Sequence, residues 1–201
     1  MEEWIEREFE GVSFEGAEWI GWVLRGCRFE RCSFHGARLT ELRTEQCRFE
    51  ECDFTGAQLN GSTHQRTSFA NSRLVYANLF LAVLTDCQMM GVDFTDADLT
   101  GLSVEGGDWS WANLRFQNLA EQNLRGLRLR EADLTGCDLT KADLREADLE
   151  RAEVRQAKLA GADLRGANVA GIRLQDVGLK GARMDHGQAL LFARCHGIIV
   201  E

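Results

Sequence analysis

The sequence predicts an all-β solenoid: a square β-helix of about nine coils, each rising roughly 4.8 Å, followed by a short C-terminal helix. A large apolar residue recurs at every fifth position from Phe9 to Met184, and 34 of these 36 positions conform. The chain has 20 glycines and no proline, and in 16 pentads a glycine stands two residues after the apolar one. A period of five fits neither the helical period of 3.6 nor the alternation of a strand. A square coil with one pentad on each of its four sides accounts for the period of five.

Each position of the pentad has its own predicted role. The apolar centre points into the lumen, and so does the small residue two positions before it. Asp or Asn often precedes the centre, and glycine suits a corner that requires positive φ. Residues 9–184 then form a rod on the order of 43 Å long. We divide the chain into a β-helix, 1–185, and a C-terminal helix with an apolar tail, 186–201.

Two centres, Thr44 and His64, are polar. They are 20 residues apart, so they should be neighbours in successive coils. Leu42 stands in the small column before Thr44, which suggests that the large and small positions are exchanged there. A hydrogen-bonded packing adjustment is favoured over a functional polar pair.

Cysteines fill the small inward column at six positions, and four of them form the pattern C-x4-C-x14-C-x4-C. Ligand pairs of structural zinc sites are more closely spaced, and cysteine is often a buried small residue. We therefore expect inert core thiols and no metal at Cys27, Cys32, Cys47, Cys52, Cys87 and Cys137.

Several function classes are disfavoured. The sequence has no nucleophile beside a base, no phosphate loop and no dinucleotide motif, so we expect neither an enzyme nor a cofactor. The net charge of -9 disfavours direct binding of nucleic acid. No apolar run approaches the 20 or so residues of a membrane span, and the N-terminus is acidic. We expect a cytoplasmic protein.

The acidic residues are unevenly distributed along the rod. Residues 1–110 carry 19 acids and 9 bases, whereas residues 111–201 carry 13 and 14. Between Arg73 and Arg115 there is no base. Over two coils this belt would carry about 0.6 negative charges per Å, close to duplex DNA. An equally open alternative is that Asp is simply the usual residue before the centre. The predicted partner-binding residues are Asp86, Asp93, Asp96, Asp98, Glu105 and Asp108.

The same region has apolar residues at outward positions. An exposed apolar cluster is commonly an interface, although these side chains could instead cover a local bend. The residues are Val75, Tyr76, Phe80, Leu81, Met90, Trp111 and Phe116.

After Met184 the period stops. We predict a helix from Gln188 to His196, with Asp185 or His186 near its start and Gly197 as its C-cap. The open end of a β-helix must be covered or paired, and this small tail suits a two-fold contact between two copies. The alternative is a cap on a monomer. The predicted dimerisation residues are Ala189, Leu190, Phe192, Ala193, Ile198, Ile199 and Val200.

Segments 97–101, 132–136 and 162–166 read ADLTG, ADLTG and ADLRG. They resemble the A(D/N)LxG signature of the pentapeptide repeat family, and the repeat covers about 176 of 201 residues. This resemblance implies the right-handed quadrilateral β-helix of that family. The ending is similar to that of a mycobacterial member of its quinolone-resistance group, through Gly181-Ala182-Arg183, Gln188-Ala189, Phe192-Ala193 and His196-Gly197.

The resemblance implies a function as well as a fold. It implies a dimeric rod that mimics duplex DNA, occupies the DNA-binding surface of DNA gyrase and reduces susceptibility to fluoroquinolones. Related Qnr proteins have projecting loops, which this sequence lacks. Two alternatives stay open: a structural or adaptor rod with another partner, and an immunity protein in a producer of a gyrase-targeting antibiotic.

Overall fold

Each pentad forms one side of a square coil, because the chain turns at a corner residue with positive φ. The computed structural model describes residues 2–174, 177–195 and 197–199. Glycine occupies many corners, but Tyr76, Asp96 and Phe116 also have φ of 56°, 54° and 59°. A left-handed conformation costs a non-glycine residue roughly 1–2 kcal/mol. The corners of this solenoid are therefore imposed by the stacking of the coils.

Successive coils stack in parallel with an offset of 20 residues. Two of the four sides contain regular strands, in a six-stranded sheet with the order β1-β3-β5-β7-β8-β9 and a three-stranded sheet with the order β2-β4-β6. The strands are β1 Glu3–Ile5, β2 Glu8–Glu10, β3 Val23–Arg25, β4 Arg28–Glu30, β5 Arg43–Glu45, β6 Arg48–Glu50, β7 Thr63–Gln65, β8 Val83–Thr85 and β9 Ser103–Glu105.

We name the four sides in chain order. Face A contains β1 and its sheet, and face B contains β2 and its sheet. Face C begins with the bridge Ser13↔Ser33, and face D with the bridge Glu18↔Arg38. Regular strands on face A cover five coil-to-coil steps, and single bridges with the same offset continue as far as Asp163↔Arg183. The predicted fold class is confirmed, although regular strands occupy fewer coils than the nine expected.

The lumen is filled by the pentad centres, which stack on one another from coil to coil. The Phe29 and Phe49 rings are 4.8 Å apart and nearly parallel, and Phe49 stacks on Phe69 at 5.0 Å. On face C, Phe34 and Phe54 stack at 4.7 Å. Complete burial of such a side chain contributes on the order of 1.5–3 kcal/mol. The stacked centres thus hold each coil against its neighbours.

The two polar centres form one buried hydrogen-bonded group. Thr44 Oγ1 lies 2.8 Å from His64 Nδ1 and 2.8 Å from Thr67 Oγ1, and His64 Nε2 lies 2.9 Å from Ser62 Oγ. Leu42 is buried two residues before the centre Thr44, at the position that a small residue usually occupies. The predicted hydrogen bonding of the two polar centres and the exchange of large and small positions at Leu42 are confirmed.

Helix α1, His186–Cys195, covers the C-terminal end of the solenoid. Asp185 Oδ1 accepts a hydrogen bond from the Gln188 N–H, and Gln188 Oε1 accepts one from the Asp185 N–H, both at 2.9 Å. This reciprocal pair is a capping box. The Gln188 amide also donates to the carbonyl oxygens of Leu164 at 2.5 Å and Ala167 at 2.8 Å. One side chain therefore caps both the helix and the last coil.

The helix ends at a glycine in the left-handed conformation, as predicted. Gly197 has φ 73°, its N–H donates to Arg194 O, and the Ile198 N–H donates to Ala193 O, each at 2.9 Å. These bonds form a Schellman motif. The helix begins two residues before the predicted Gln188 because Asp185 is its N-cap, and His196 lies outside the described residues. No helix in the described ranges has the length and apolar character needed to cross a membrane.

Candidate partner interface

The predicted acidic belt encircles the rod. Asp93 lies on face C, Asp96 at the corner between faces C and D, and Asp98 on face D. The structure thus brings these three together on adjoining sides of one coil. It does not bring the other three to the same place: Glu105 lies on face A, Asp108 on face B, and Asp86 at the corner between faces A and B.

The belt residues differ in whether a nearby base neutralises their negative charge. Asp108 Oδ2 is paired with Arg128 Nε at 3.1 Å. Among the described residues, the other five belt acids form no ion pair. Asp93 Oδ1 accepts hydrogen bonds from Thr95 Oγ1 at 2.6 Å and from Asn113 Nδ2 at 2.9 Å. Asp93 is thus half-buried and structural, whereas Asp86, Asp96, Asp98 and Glu105 are exposed.

In the C-terminal half of the chain, most acids beyond the belt are neutralised by nearby bases. Arg165 binds Asp163 through two nitrogens, and these bonds lower the pKa of Asp163 to about 2. Hydrogen bonding to Lys141 lowers the pKa of the exposed Glu121 carboxyl. Further pairs in this half are Arg115–Asp133, Arg125–Glu146, Arg130–Asp148, Lys158–Asp138 and Arg145–Asp143. The belt, apart from Asp108, is therefore uncompensated, in contrast to the C-terminal half.

The outward apolar residues are truly exposed at most of the predicted positions. Tyr76 is 64% exposed, Phe116 68%, and Leu81 56%. Phe80 and Trp111 are also exposed, while Val75 and Met90 are half-buried. Tyr76, Asp96 and Phe116 occupy the corner between faces C and D in three successive coils. Aromatic and acidic side chains therefore alternate along one edge of the rod.

Six cysteines, Cys27, Cys32, Cys47, Cys52, Cys87 and Cys137, are buried in the lumen as thiols outside any disulfide. Burial raises the pKa of Cys47, Cys52 and Cys137 to about 12, so these thiols are protonated at neutral pH. Burial lowers the pKa of His64 to about 3, which keeps the imidazole neutral. In the described part of the chain, no three His, Cys, Asp or Glu side chains are grouped to hold a metal ion.

The tail residues fall into two groups. Leu190 is 40% exposed, Ile198 55% and Ile199 86%, and Ala189 is exposed. Phe192 and Ala193 are half-buried, and Phe192 packs against the core. Val200 lies outside the described residues. The exposed group presents apolar surface on α1 and on the segment that follows it.

Five large apolar residues that are exposed in the described part of the chain were not identified from the sequence: Ile5 at 56%, Val12 at 37%, Ile20 at 47%, Val83 at 37% on face A and Leu191 at 44% on α1. Also missed was the alternating edge of Tyr76, Asp96 and Phe116. The spacing of these three residues in the sequence could have revealed this edge, because residues 20 apart occupy the same corner of successive coils.

Comparison with known proteins identifies related folds. A family profile described as pentapeptide repeats matches residues 8–41, 65–101, 108–145 and 137–181. No curated protein sequence matches the chain. A trypsin-treated form of QnrB1, described as a plasmid-mediated fluoroquinolone resistance protein, matches with a TM-score of 0.86 and 20% identity over 99% of this chain and 100% of that chain.

Two further solved structures are similar. A second trypsin-treated form of QnrB1 gives a TM-score of 0.84 and 21% identity over 98% of this chain and 99% of that one. HetL from the cyanobacterium Nostoc sp. strain PCC 7120, a pentapeptide repeat protein involved in regulating heterocyst differentiation, gives a TM-score of 0.54 and 28% identity over 92% and 90%. At this identity the QnrB1 likeness establishes the fold.

Proposed function

The chain belongs to the pentapeptide repeat family, and we propose that it is a DNA-mimicking protein that binds DNA gyrase, a type II topoisomerase. It modulates the activity of gyrase and protects the enzyme against fluoroquinolones. The proposal places the protein in the cytoplasm, where gyrase acts. It involves no chemistry by the protein itself, no direct contact with nucleic acid and no cofactor.

The uncompensated belt carries this proposal. Five acids without an ion pair among the described residues lie between Asp86 and Glu105, and no base occurs between Arg73 and Arg115. Two coils rise about 10 Å, so these acids amount to roughly 0.5 negative charges per Å, near the 0.6 of duplex DNA. Carboxylates at this density, all of them exposed except the half-buried Asp93, occupy a basic surface in place of phosphates and exclude DNA from it.

The shape of the solenoid supports the same function. The coils keep the 20-residue offset from β1 to Arg183, so the described β-helix is a rod without projecting loops. The belt runs around this rod, as phosphates run around a duplex. Binding should weaken steeply with salt, because exposed charges are screened beyond about 8 Å at physiological ionic strength.

The exposed apolar tail supports a homodimer joined at the C-termini. Two rods joined end to end would give an assembly on the order of 86 Å long. Deleting residues 186–201 would be a poor test, since it would also remove Gln188 from the carbonyl groups of the last coil. Changing Leu190 and Ile199 to Glu leaves that cap in place.

We expect this double substitution to halve the mass measured by sedimentation equilibrium, because it buries carboxylates in an apolar contact. The substitution Lys180→Glu, on an exposed position of the solenoid near the same end, is the control and should leave the mass unchanged. An unaltered mass for the double variant would place the dimer contact elsewhere.

The function is tested by titrating the protein into a gyrase supercoiling reaction with and without a fluoroquinolone. Supercoiled product and drug-stabilised cleavage are both scored. A dose-dependent loss of supercoiling, or less cleavage in the presence of drug, supports the proposal. No change in either signal at micromolar protein across several gyrases would refute it.

The likeness to HetL favours a second candidate, a regulatory or adaptor rod whose partner is unrelated to gyrase. At 28% identity it covers 92% of this chain. Such a rod would leave supercoiling unchanged, and its partner would be recovered by affinity capture from the native host. An immunity protein would share the gyrase target but act against a different drug.

A further inference from the structure

A band of outward-facing apolar side chains lies directly beside the acidic belt. It consists of Tyr76, Phe80, Leu81 and Val83, which are exposed, and Val75, which is half-buried, and we call it the apolar band. These residues follow a single coil from face C across face D to face A. Exposed apolar surface in one contiguous strip is typical of an interaction site.

Four belt residues, Asp93, Asp96, Asp98 and Glu105, lie one coil further along the same three faces. Asn78 lies in the coil of the apolar band and is paired with Asp98 in the next coil. On face A, Thr85 is paired with Glu105 in the same way. Stacked coils are about 4.8 Å apart. A partner segment that touches the apolar band is therefore within side-chain reach of the belt.

At the edge between faces C and D, an aromatic ring and a carboxylate already hold one guanidinium of this chain. The guanidinium carbon of Arg115 lies 5.5 Å from the centroid of the Phe116 ring. The same group donates from Nη1 to Asp133 Oδ2 at 3.1 Å. One aromatic ring and one carboxylate thus hold a guanidinium together. Tyr76 and Asp96 repeat this combination of residue types on the same edge.

We propose that the apolar band and the belt form one docking surface for a segment of a protein partner that carries both arginine and apolar side chains. Arginines reach Asp96 and Asp98, and apolar side chains pack on Tyr76, Phe80 and Leu81. The inference rests on the proposed function, since it describes how a basic partner is held. It differs in making apolar contact, and not charge alone, part of recognition.

The negative charge of this surface favours a basic protein segment over nucleic acid, anionic lipid or a second copy of the chain. Residues 74–114 contain no Lys or Arg, so the surface repels nucleic acid and anionic lipid. A second copy placed face to face would bring two belts together, and like charges opposed at an interface are unfavourable. A basic segment complements the belt.

The test uses two labelled 12-residue peptides of equal charge, one alternating Arg and Leu and the other alternating Arg and Ser. Binding to the full-length protein is measured by fluorescence anisotropy. The test variant combines Tyr76→Asn with Phe80→Thr, since Asn tolerates positive φ and Thr40 and Thr100 occupy the same column as Phe80. The matched control is Trp111→Asn, which removes a 55% exposed aromatic corner residue outside the apolar band.

We expect the protein to bind the Arg-Leu peptide about tenfold more tightly than the Arg-Ser peptide. The double variant should lose this preference, and the Trp111 control should keep it. A further variant with Asp96→Asn and Asp98→Asn should weaken binding of both peptides. Thermal unfolding of each variant verifies that it is folded.

Equal affinity for the two peptides would overturn the inference, and so would an equal loss in the Trp111 control. A change in sedimentation mass with the double variant would also overturn it, because a second copy would then cover the apolar band. The peptides require no gyrase. A peptide preference without any effect on supercoiling would therefore refute the proposed function and leave this surface in place.

Discussion

His64 is buried in the lumen with both ring nitrogens hydrogen bonded, and burial lowers its pKa to about 3. In the unfolded chain a histidine has a pKa near 6.5. Between these two values the unfolded chain binds a proton that the folded protein does not, so lowering the pH destabilises the fold. Above about pH 6.5 the histidine is neutral in both states, and its effect on stability disappears.

We expect this single group to lower the free energy of unfolding by about 2 kcal/mol between pH 7 and pH 5. The substitution His64→Leu places the usual apolar centre there and should remove that part of the pH dependence. Urea unfolding at the two pH values measures it, with the exposed His35→Gln as control. If wild type and His64→Leu show the same change with pH, the histidine is not held neutral in the fold.

Gly107 shows where the repeat requires glycine for space as well as conformation. Its φ is 103°, and a Cβ would overlap the backbone carbonyl oxygen of Cys87. Gly126 also has positive φ, 68°, but a Cβ there would meet nothing within 4 Å. Close approach of backbone to backbone thus distinguishes two glycines in the same fold.

The substitution Gly107→Ala should cost about 3 kcal/mol or more, because it combines strain with overlap of backbone atoms. Gly126→Ala should cost about 1 kcal/mol through conformation alone. Urea unfolding of the two variants measures the difference. Equal losses would show that the coil relaxes freely around residue 107.

At the scale of elements, α1 and the last coil are joined through the capping box. Asp185 Oδ2 also accepts a hydrogen bond from the Gly166 N–H at 3.2 Å. In the regular coils a backbone carbonyl accepts from such an N–H, as when Lys180 O accepts from the Gly161 N–H. The side chains of Asp185 and Gln188 thus complete the backbone pairing that the chain no longer supplies.

Replacing Gln188 with Leu should destabilise this end by about 2–3 kcal/mol, since it removes the bonds to two carbonyl groups and half of the capping box. Hydrogen exchange of the Ala189 N–H, which donates to Asp185 O at 3.0 Å, should accelerate accordingly. The control is Leu191→Ala on the exposed side of α1. Unchanged exchange in the Gln188 variant would mean that the helix is held by other contacts.

The elements were predictable to different degrees. The centres and corners follow from the period of five, because each pentad meets the same surroundings in every coil. The start of α1 was placed two residues late, although Asp185 was named as a candidate cap. The contact of Gln188 with Leu164 and Ala167 could not be predicted, since it depends on how the helix folds back over the coil.

At the scale of the whole molecule, the belt should be tested at a position that does not disturb the coil. Asp96 is an exposed corner residue with φ 54°, and Glu131 is an exposed corner residue with the same φ outside the belt. Lysine at either position changes the charge by the same amount.

We expect Asp96→Lys to raise the protein concentration that half-inhibits gyrase about fivefold at low salt, because it places a cation against a basic surface. Glu131→Lys should change that concentration by less than about twofold. The difference should shrink at high salt. If the two variants are equally impaired, net charge and not the belt determines inhibition.

The candidate site was predicted in composition but not in arrangement. Counting acids located the belt along the rod, whereas the face of each acid depends on its position modulo 20. That arithmetic separates Asp96 and Asp98 from Asp86 and Asp108. The pairing of Asp108 with Arg128 follows the same offset. Side-chain exposure, as at Val83, depends on packing between neighbours and requires the structure.

Because successive coils are offset by 20 residues, the number of pentads between two surfaces determines the angle between them around the rod axis. Four pentads return the chain to the same face, so inserting one extra pentad between Glu105 and α1 would turn everything beyond it by a quarter of a revolution. The lumen would accept the insertion, because every centre would still meet a centre. The belt, however, would point in a new direction relative to the C-terminal end. In a pair of rods joined at that end, one added pentad per chain would rotate the two belts by half a revolution relative to each other.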